Sequence, residues 1–183
     1  LLRSVCNWLL KRAIRIARQL GPQRVWADGP MTEWLWGQER LSLASFLAND
    51  DVRTLYHLSR WREEGPADLH DPCRRLLDRR LLKALDVRQL NTEQRLELLA
   101  LAQRQTQRAG LNPDNCCTLQ QGQTRGYDPY KSGLRLWDGQ KLEALEDRSR
   151  LVKALTTEEP WAWLLYPGEV ETDLQETVRS FVT

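Results

Sequence analysis

Five cations stand between positions 74 and 83: Arg74, Arg75, Arg79, Arg80 and Lys83. Such a cluster attracts polyphosphate, because guanidinium forks and an ammonium offer many charge-assisted donors at once. The alternative is a solvated face with Asp71 and Asp78 as local counter-ions. His70 and Asp71 form a His-Asp pair just upstream. A divalent metal needs several converging N and O ligands. The one other histidine, His57, lies close by in sequence, and Pro72 follows the pair, so a surface turn is expected there rather than a metal site. Asp50-Asp51 fits helix capping better than acid–base chemistry.

The remaining candidates are weaker. Cys6, Cys73, Cys116 and Cys117 lack the spacing of a zinc knuckle and read as reduced thiols. No phosphate-binding glycine loop and no nucleophile elbow is present. The eight tryptophans fall mostly on apolar faces, where core packing is expected. The net charge of +2 is too small to suggest a general nucleic-acid binder. Arginine nevertheless outnumbers lysine 22 to 5, which is compatible with ion-pair networks or phosphate contacts. No apolar run is long enough to span a membrane, and no signal peptide is visible. A cytoplasmic location is therefore expected.

Helical periodicity dominates the chain up to Gly110. Residues 1–20 repeat apolar groups at intervals of three and four, and Gly21-Pro22 ends the run. A short helix is expected over 29–37 with its tryptophans inward, and a helical turn over 41–47. A helix follows from Asp50-Asp51 to Gly65. Leucines from Leu69 to Leu85 predict a helical or bent-helical segment. Asn91-Thr92-Glu93-Gln94 predicts a capping box for a helix to about Arg108.

After Gly110 the composition shifts to Gly, Gln, Asp, Asn and Pro. A strand is expected at 134–137 before the Asp138-Gly139 turn. A helix is expected over 149–155, a strand over 161–166 and a final helix over about 169–182. The fold class is mainly α. A helical lobe is expected over 1–110 and a small α+β subdomain over 111–183. The chain opens on Leu1 inside an amphipathic pattern, and its only Met is Met31. A partial chain is expected on that ground.

The order of segments resembles the part of HD-superfamily phosphohydrolases, including SAM-and-HD dNTP triphosphohydrolases, that follows the HD core. Three stretches carry the resemblance. The first is Val5-Cys6-Asn7-Trp8-Leu9-Leu10 with Arg12-Ala13 through Leu20-Gly21. The second runs from Leu47 through Asp50-Asp51-Val52, Trp61 and Leu69 to Arg79-Arg80-Leu81-Leu82-Lys83, with Leu82 in place of the usual Phe. The third is Gly126-Tyr127-Asp128-Pro129-Tyr130 leading into the strand at Leu134–Trp137.

The resemblance implies a metal-dependent (deoxy)nucleotide phosphohydrolase as the parent protein. A divalent ion such as Mn, Mg or Fe would be held by His and Asp residues upstream of Leu1. No catalytic residue and no metal ligand is then expected in this chain, which would be inactive alone. The resemblance also implies a homo-oligomer through the helical lobe. Finally, it implies a regulatory nucleoside triphosphate whose phosphates meet Arg79 and Lys83. A further lysine of those relatives aligns with Asp138 here, a departure that puts identical regulation in doubt. The alternative is a non-enzymatic, Arg-rich helical module that binds nucleotide, RNA or a protein partner.

Overall fold

The computed structural model describes residues 1–37, 41–127, 133–172 and 174. The architecture is mainly α, with a small sheet. In order, the elements are α1 (Leu2–Leu20), α2 (Gly29–Trp36), α3 (Leu43–Ala48), α4 (Asp51–Glu64), α5 (Ala67–Leu77), β1 (Lys83–Asp86), α6 (Thr92–Arg108), α7 (Pro113–Cys116), β2 (Thr118–Thr124), β3 (Arg135–Trp137), β4 (Leu142–Ala144), α8 (Leu145–Arg148), α9 (Arg150–Leu155) and β5 (Glu159–Tyr166). A 3₁₀ turn follows at Gly168–Val170.

Helix α1 is the spine of the fold. Its buried residues Val5, Leu9, Ala13, Ile16 and Ala17 lie on one face at helical spacing. Val5 and Leu9 enter a core with Leu98, Ala102, Leu164 and Leu165. Ala13, Ile16 and Ala17 enter a second core with Met31, Leu58, Trp61 and Leu69. Gly21, at φ 78, ends the helix in a conformation that favours glycine.

Local signals settle most helix starts. Asp50 accepts from the Arg53 amide and caps α4. Both halves of the capping box at Asn91 and Gln94 are formed. Ser149 Oγ accepts from the Val152 amide and caps α9. At the hairpin turn between β3 and β4, Asp138 Oδ1 accepts from the amides of Gln140 and Lys141. Those two backbone bonds hold its carboxyl below the usual carboxylate range. Asp138 is thus a turn residue.

The three-stranded sheet has the order β1-β5-β2, with both pairings antiparallel. β5 is central, and Leu164 faces Leu85 on one side and Leu119 on the other. β1 comes from the part of the sequence expected to be helical, so one core joins residues on both sides of position 110. The bent helix expected from Leu69 to Leu85 therefore ends at Leu77. Its leucine spacing fits both periods, and pairing with β5 decides for a strand. β2 also falls in a stretch without a clear pattern.

Most tryptophans pack as expected: Trp61 is buried, and Trp8, Trp34, Trp36 and Trp163 are half-buried against the two cores, whereas Trp26 and Trp137 are exposed. Indole N–H groups need partners, and Trp36 Nε1 donates to the Arg18 carbonyl at 3.2 Å. Of the final helix expected over about 169–182, residues 169 and 170 fall in the 3₁₀ turn and residues 171, 172 and 174 are helical; the remainder lies outside the described residues. The same is true of Asp128, Pro129 and Tyr130. Among the described residues, no helix is long and apolar enough to cross a membrane.

Leu164 is fully buried at the centre of β5. Leu164→Ala is expected to cost about 2–5 kcal/mol in urea unfolding. The exposed Leu151→Ala should change stability by no more than about 0.5 kcal/mol.

Candidate functional site

The five cations of the basic run separate by element. Arg74 and Arg75 lie in the last turn of α5. Lys83 opens β1, and Arg79 and Arg80 lie in the connection between them. This arrangement replaces the single helical face expected from sequence. Arg79 has φ 55, and no other described non-glycine residue has a positive φ. It stands just past the end of α5, where the left-handed conformation usually selects glycine.

Arg75, Arg79, Arg80 and Lys83 line one open cleft of about 430 Å³ together with Leu81, Gly168 and Glu169. Arg75 forms its back wall, with a side chain only 3% exposed. Its Nη1 and Nη2 donate to the Glu169 carboxylate at 3.3 and 3.0 Å, and its Nε donates to Asp71 Oδ2 at 2.9 Å. Arg80 Nη2 reaches Glu169 at 3.4 Å. Lys83 Nζ lies 3.1 Å from Glu171. Arg79 has no hydrogen bond or ion pair with a described residue. Arg74 points elsewhere, with its closest carboxylate oxygen on Asp71 at 3.9 Å.

Electrostatics follow from this geometry. Burial works against the Arg75 charge, but the Glu169 hydrogen bonds and the Asp71 charge outweigh it and raise its pKa. Burial likewise favours neutral Glu169, and the Arg75 hydrogen bonds and the charges of Arg75 and Arg80 outweigh that and lower its pKa. Cys116 donates to Asp71 Oδ2 at 3.5 Å. Burial first and the Asp71 charge second push its thiol to about 12, so it is not a thiolate nucleophile at neutral pH.

The histidines serve structure. His57 is fully buried and stacked on Trp26, with ring centroids 5.0 Å apart. Its Nε2 accepts from the Asp28 amide at 3.1 Å, and its Nδ1 donates to the Arg53 carbonyl at 2.8 Å. One neutral tautomer satisfies both bonds. His70 lies inside α5 rather than in a surface turn, and its Nε2 bonds the Gly65 carbonyl at 2.7 Å. Its neighbour Asp71 is engaged by Arg75 and Cys116. Among the described residues, no group of three His, Cys, Asp or Glu side chains could hold a metal ion.

No family profile matches the chain, and no curated protein matches it in sequence. Solved structures do match its fold. One is the crystal structure of a phosphohydrolase from Bacteroides thetaiotaomicron, with a TM-score of 0.69. The identity is 15%, over 89% of this chain and 44% of that one. The chain therefore shares a phosphohydrolase-like fold and spans less than half the length of that structure.

The cations of the cleft are legible in sequence, as is Asp71 as a local counter-ion, but Glu169 is not. Glu169 lies 94 residues from Arg75, and no local pattern links the two. Its place after Pro167-Gly168, at the end of β5, is visible only once β1 pairs with β5.

Arg75→Ala is expected to cost about 3–5 kcal/mol, because Asp71 and Glu169 lose the guanidinium that is their main partner in a partly buried site. Arg74→Ala should cost no more than about 1 kcal/mol. Glu169 has a lowered folded pKa, so its contribution is present above its unfolded pKa of about 4.5 and lost as pH falls through the folded value. Urea unfolding between pH 7 and pH 3 should therefore show a shallower acid loss in Glu169→Gln than in the parent protein.

Proposed function

We propose that this chain is the C-terminal, helical part of an HD-type, metal-dependent (deoxy)nucleotide phosphohydrolase. In this role it provides a regulatory phosphate-binding site at Arg79 and Lys83. One observation carries the site: Arg79 keeps a strained left-handed backbone at the lip of the basic cleft and has no described partner. Such a conformation costs an arginine about 1–2 kcal/mol that glycine would not lose. Strain held at a ligand-facing position is a mark of function. The phosphohydrolase-like fold and the order of the sequence segments support the enzyme class.

The divalent ion of such an enzyme does not fit the described residues. His57 is committed to backbone groups on both ring nitrogens, and His70 and Asp71 have separate partners. The metal ligands of the proposed enzyme are therefore assigned outside this chain, and no hydrolytic step is assigned to its residues. Incubated with Mn²⁺ and each dNTP, the 183-residue protein is expected to release no phosphate. Metal-dependent release that disappears in His70→Ala would contradict this assignment.

The helical lobe is proposed to self-associate in the parent enzyme. Leu43, Phe46, Leu47, Val52 and Leu55, all exposed along α3 and α4, support that proposal.

The phosphate site is tested by calorimetric titration with a nucleoside triphosphate. Removal of one charge-assisted hydrogen bond should weaken binding about tenfold. Arg79→Gly and Lys83→Ala should both show this weakening. Arg79→Gly should also keep or raise the melting temperature, because glycine relieves the positive φ. Unchanged affinity in both variants would remove the site.

A further inference from the structure

Helix α1 carries a second concentration of positive charge. Its 19 residues include Arg3, Lys11, Arg12, Arg15 and Arg18, and no Asp or Glu. That is a large local excess for a chain whose net charge is +2. Arg18 is used within the fold: its Nη2 donates to the Trp34 carbonyl at 3.2 Å, and its guanidinium lies over the Trp34 ring. Trp8, Lys11, Arg12 and Arg15 stand at i, i+3, i+4 and i+7 and share another face of the helix. Together with Asp114 of α7 they line a cleft of about 240 Å³. None of them lines the cleft at Arg79 and Lys83.

The two clefts differ in how their charge is compensated. At the first, Glu169 meets Arg80 and Glu171 meets Lys83. At the second, three cations face the single carboxylate of Asp114. Neither Lys11 nor Arg15 has an ion pair or hydrogen bond with a described residue. Four positions apart on one helix, the two charges repel each other. Arg12 is fixed from inside, because its Nε donates at 2.9 Å to Oδ1 of the buried Asn115. Its Nη1 and Nη2 have no hydrogen bond to a described residue. Trp8 packs against the sheet core, and its indole N–H, which can only donate, also has no partner among the described residues. Such a surplus of donors and positive charge suits a ligand made of acceptor oxygens and negative charge. Pockets for drug-sized ligands measure roughly 300–1,000 Å³, so this smaller cleft suits a compact anion.

We infer that the α1 cleft is a second anion site, separate from the one at Arg79 and Lys83, and that its ligand is a compact diphosphate of the size of free pyrophosphate. Lys11 and Arg15 share the phosphate oxygens, which relieves their mutual repulsion. The anchored Arg12 supplies its two free Nη groups from the cleft wall. Asp114 opposes the ligand and holds the affinity down.

The test is calorimetric titration of pyrophosphate into the 183-residue protein and into Lys11→Gln/Arg15→Gln, Asp114→Asn, Arg79→Gly and Arg104→Gln. Lys11→Gln/Arg15→Gln should weaken binding about tenfold or more, through lost charge-assisted hydrogen bonds. Its melting temperature without ligand should stay level or rise, because Gln keeps the helix propensity and removes the repulsion. Asp114→Asn should tighten binding about two- to fivefold, the range of one exposed charge interaction. These opposite signs exclude misfolding as their common cause. Arg104, exposed on α6 and outside this lining, reports the general field, and Arg104→Gln should leave the affinity unchanged. Binding should persist in Arg79→Gly, and a nucleoside diphosphate should bind no more tightly than pyrophosphate. Unchanged affinity in Lys11→Gln/Arg15→Gln, an equal loss in Arg104→Gln, or unchanged or weaker binding in Asp114→Asn would each overturn the inference. Loss of all binding in Arg79→Gly would assign pyrophosphate to the first cleft and overturn it while leaving that site standing. Absence of pyrophosphate binding in the parent protein would overturn it as well. A nucleoside diphosphate that binds tenfold more tightly, and loses this in Lys11→Gln/Arg15→Gln, would overturn free pyrophosphate as the ligand.

Discussion

The contact between Arg75 and Glu169 is the constraint on which the cleft depends. Apolar packing holds α5 and the sheet together but is non-directional. The guanidinium fork adds direction. It joins the last turn of α5 to the segment leaving β5, across 94 residues of sequence. Asp71 grips the same guanidinium from the other side. A charge this deep is tolerated only when its donors are satisfied, and these two carboxylates satisfy Nε, Nη1 and Nη2. With Arg75 fixed, the connection through Arg79 and Arg80 has one short path into β1.

The two cores explain why this junction is stiff. α1 contributes Val5 and Leu9 to the sheet core and Ala13, Ile16 and Ala17 to the helical core. Leu76 of α5 packs against both. The basic cleft opens at the seam, where helix, strand and the segment after β5 meet. A site built from such anchored elements presents its charges at fixed spacing, which suits recognition of a compact anion such as a triphosphate.

The parts of the fold that depend on near neighbours could be read from sequence. Asp50, the Asn91–Gln94 box, Ser149 and the Asp138-Gly139 turn each act within three residues. Strand pairing acts at a distance, and there the sequence misleads. β1 lies in leucine spacing that also fits a helix, and β2 is a polar Thr-Leu-Gln-Gln-Gly-Gln-Thr run that becomes a strand by pairing with β5. The site divides in the same way. Arg79 and Lys83 stand out as charges in a row. The burial of Arg75, the left-handed backbone of Arg79 and the presence of Glu169 and Glu171 all follow from tertiary contacts.

A crystal structure of the protein with a non-hydrolysable nucleoside triphosphate tests the central claim most directly. The expected result places phosphate oxygens within hydrogen-bonding distance of the Arg79 guanidinium and the Lys83 ammonium, with Arg75 still forked on Glu169. Triphosphate bound at another surface, with the Arg79–Lys83 cleft empty under saturating ligand, would contradict it.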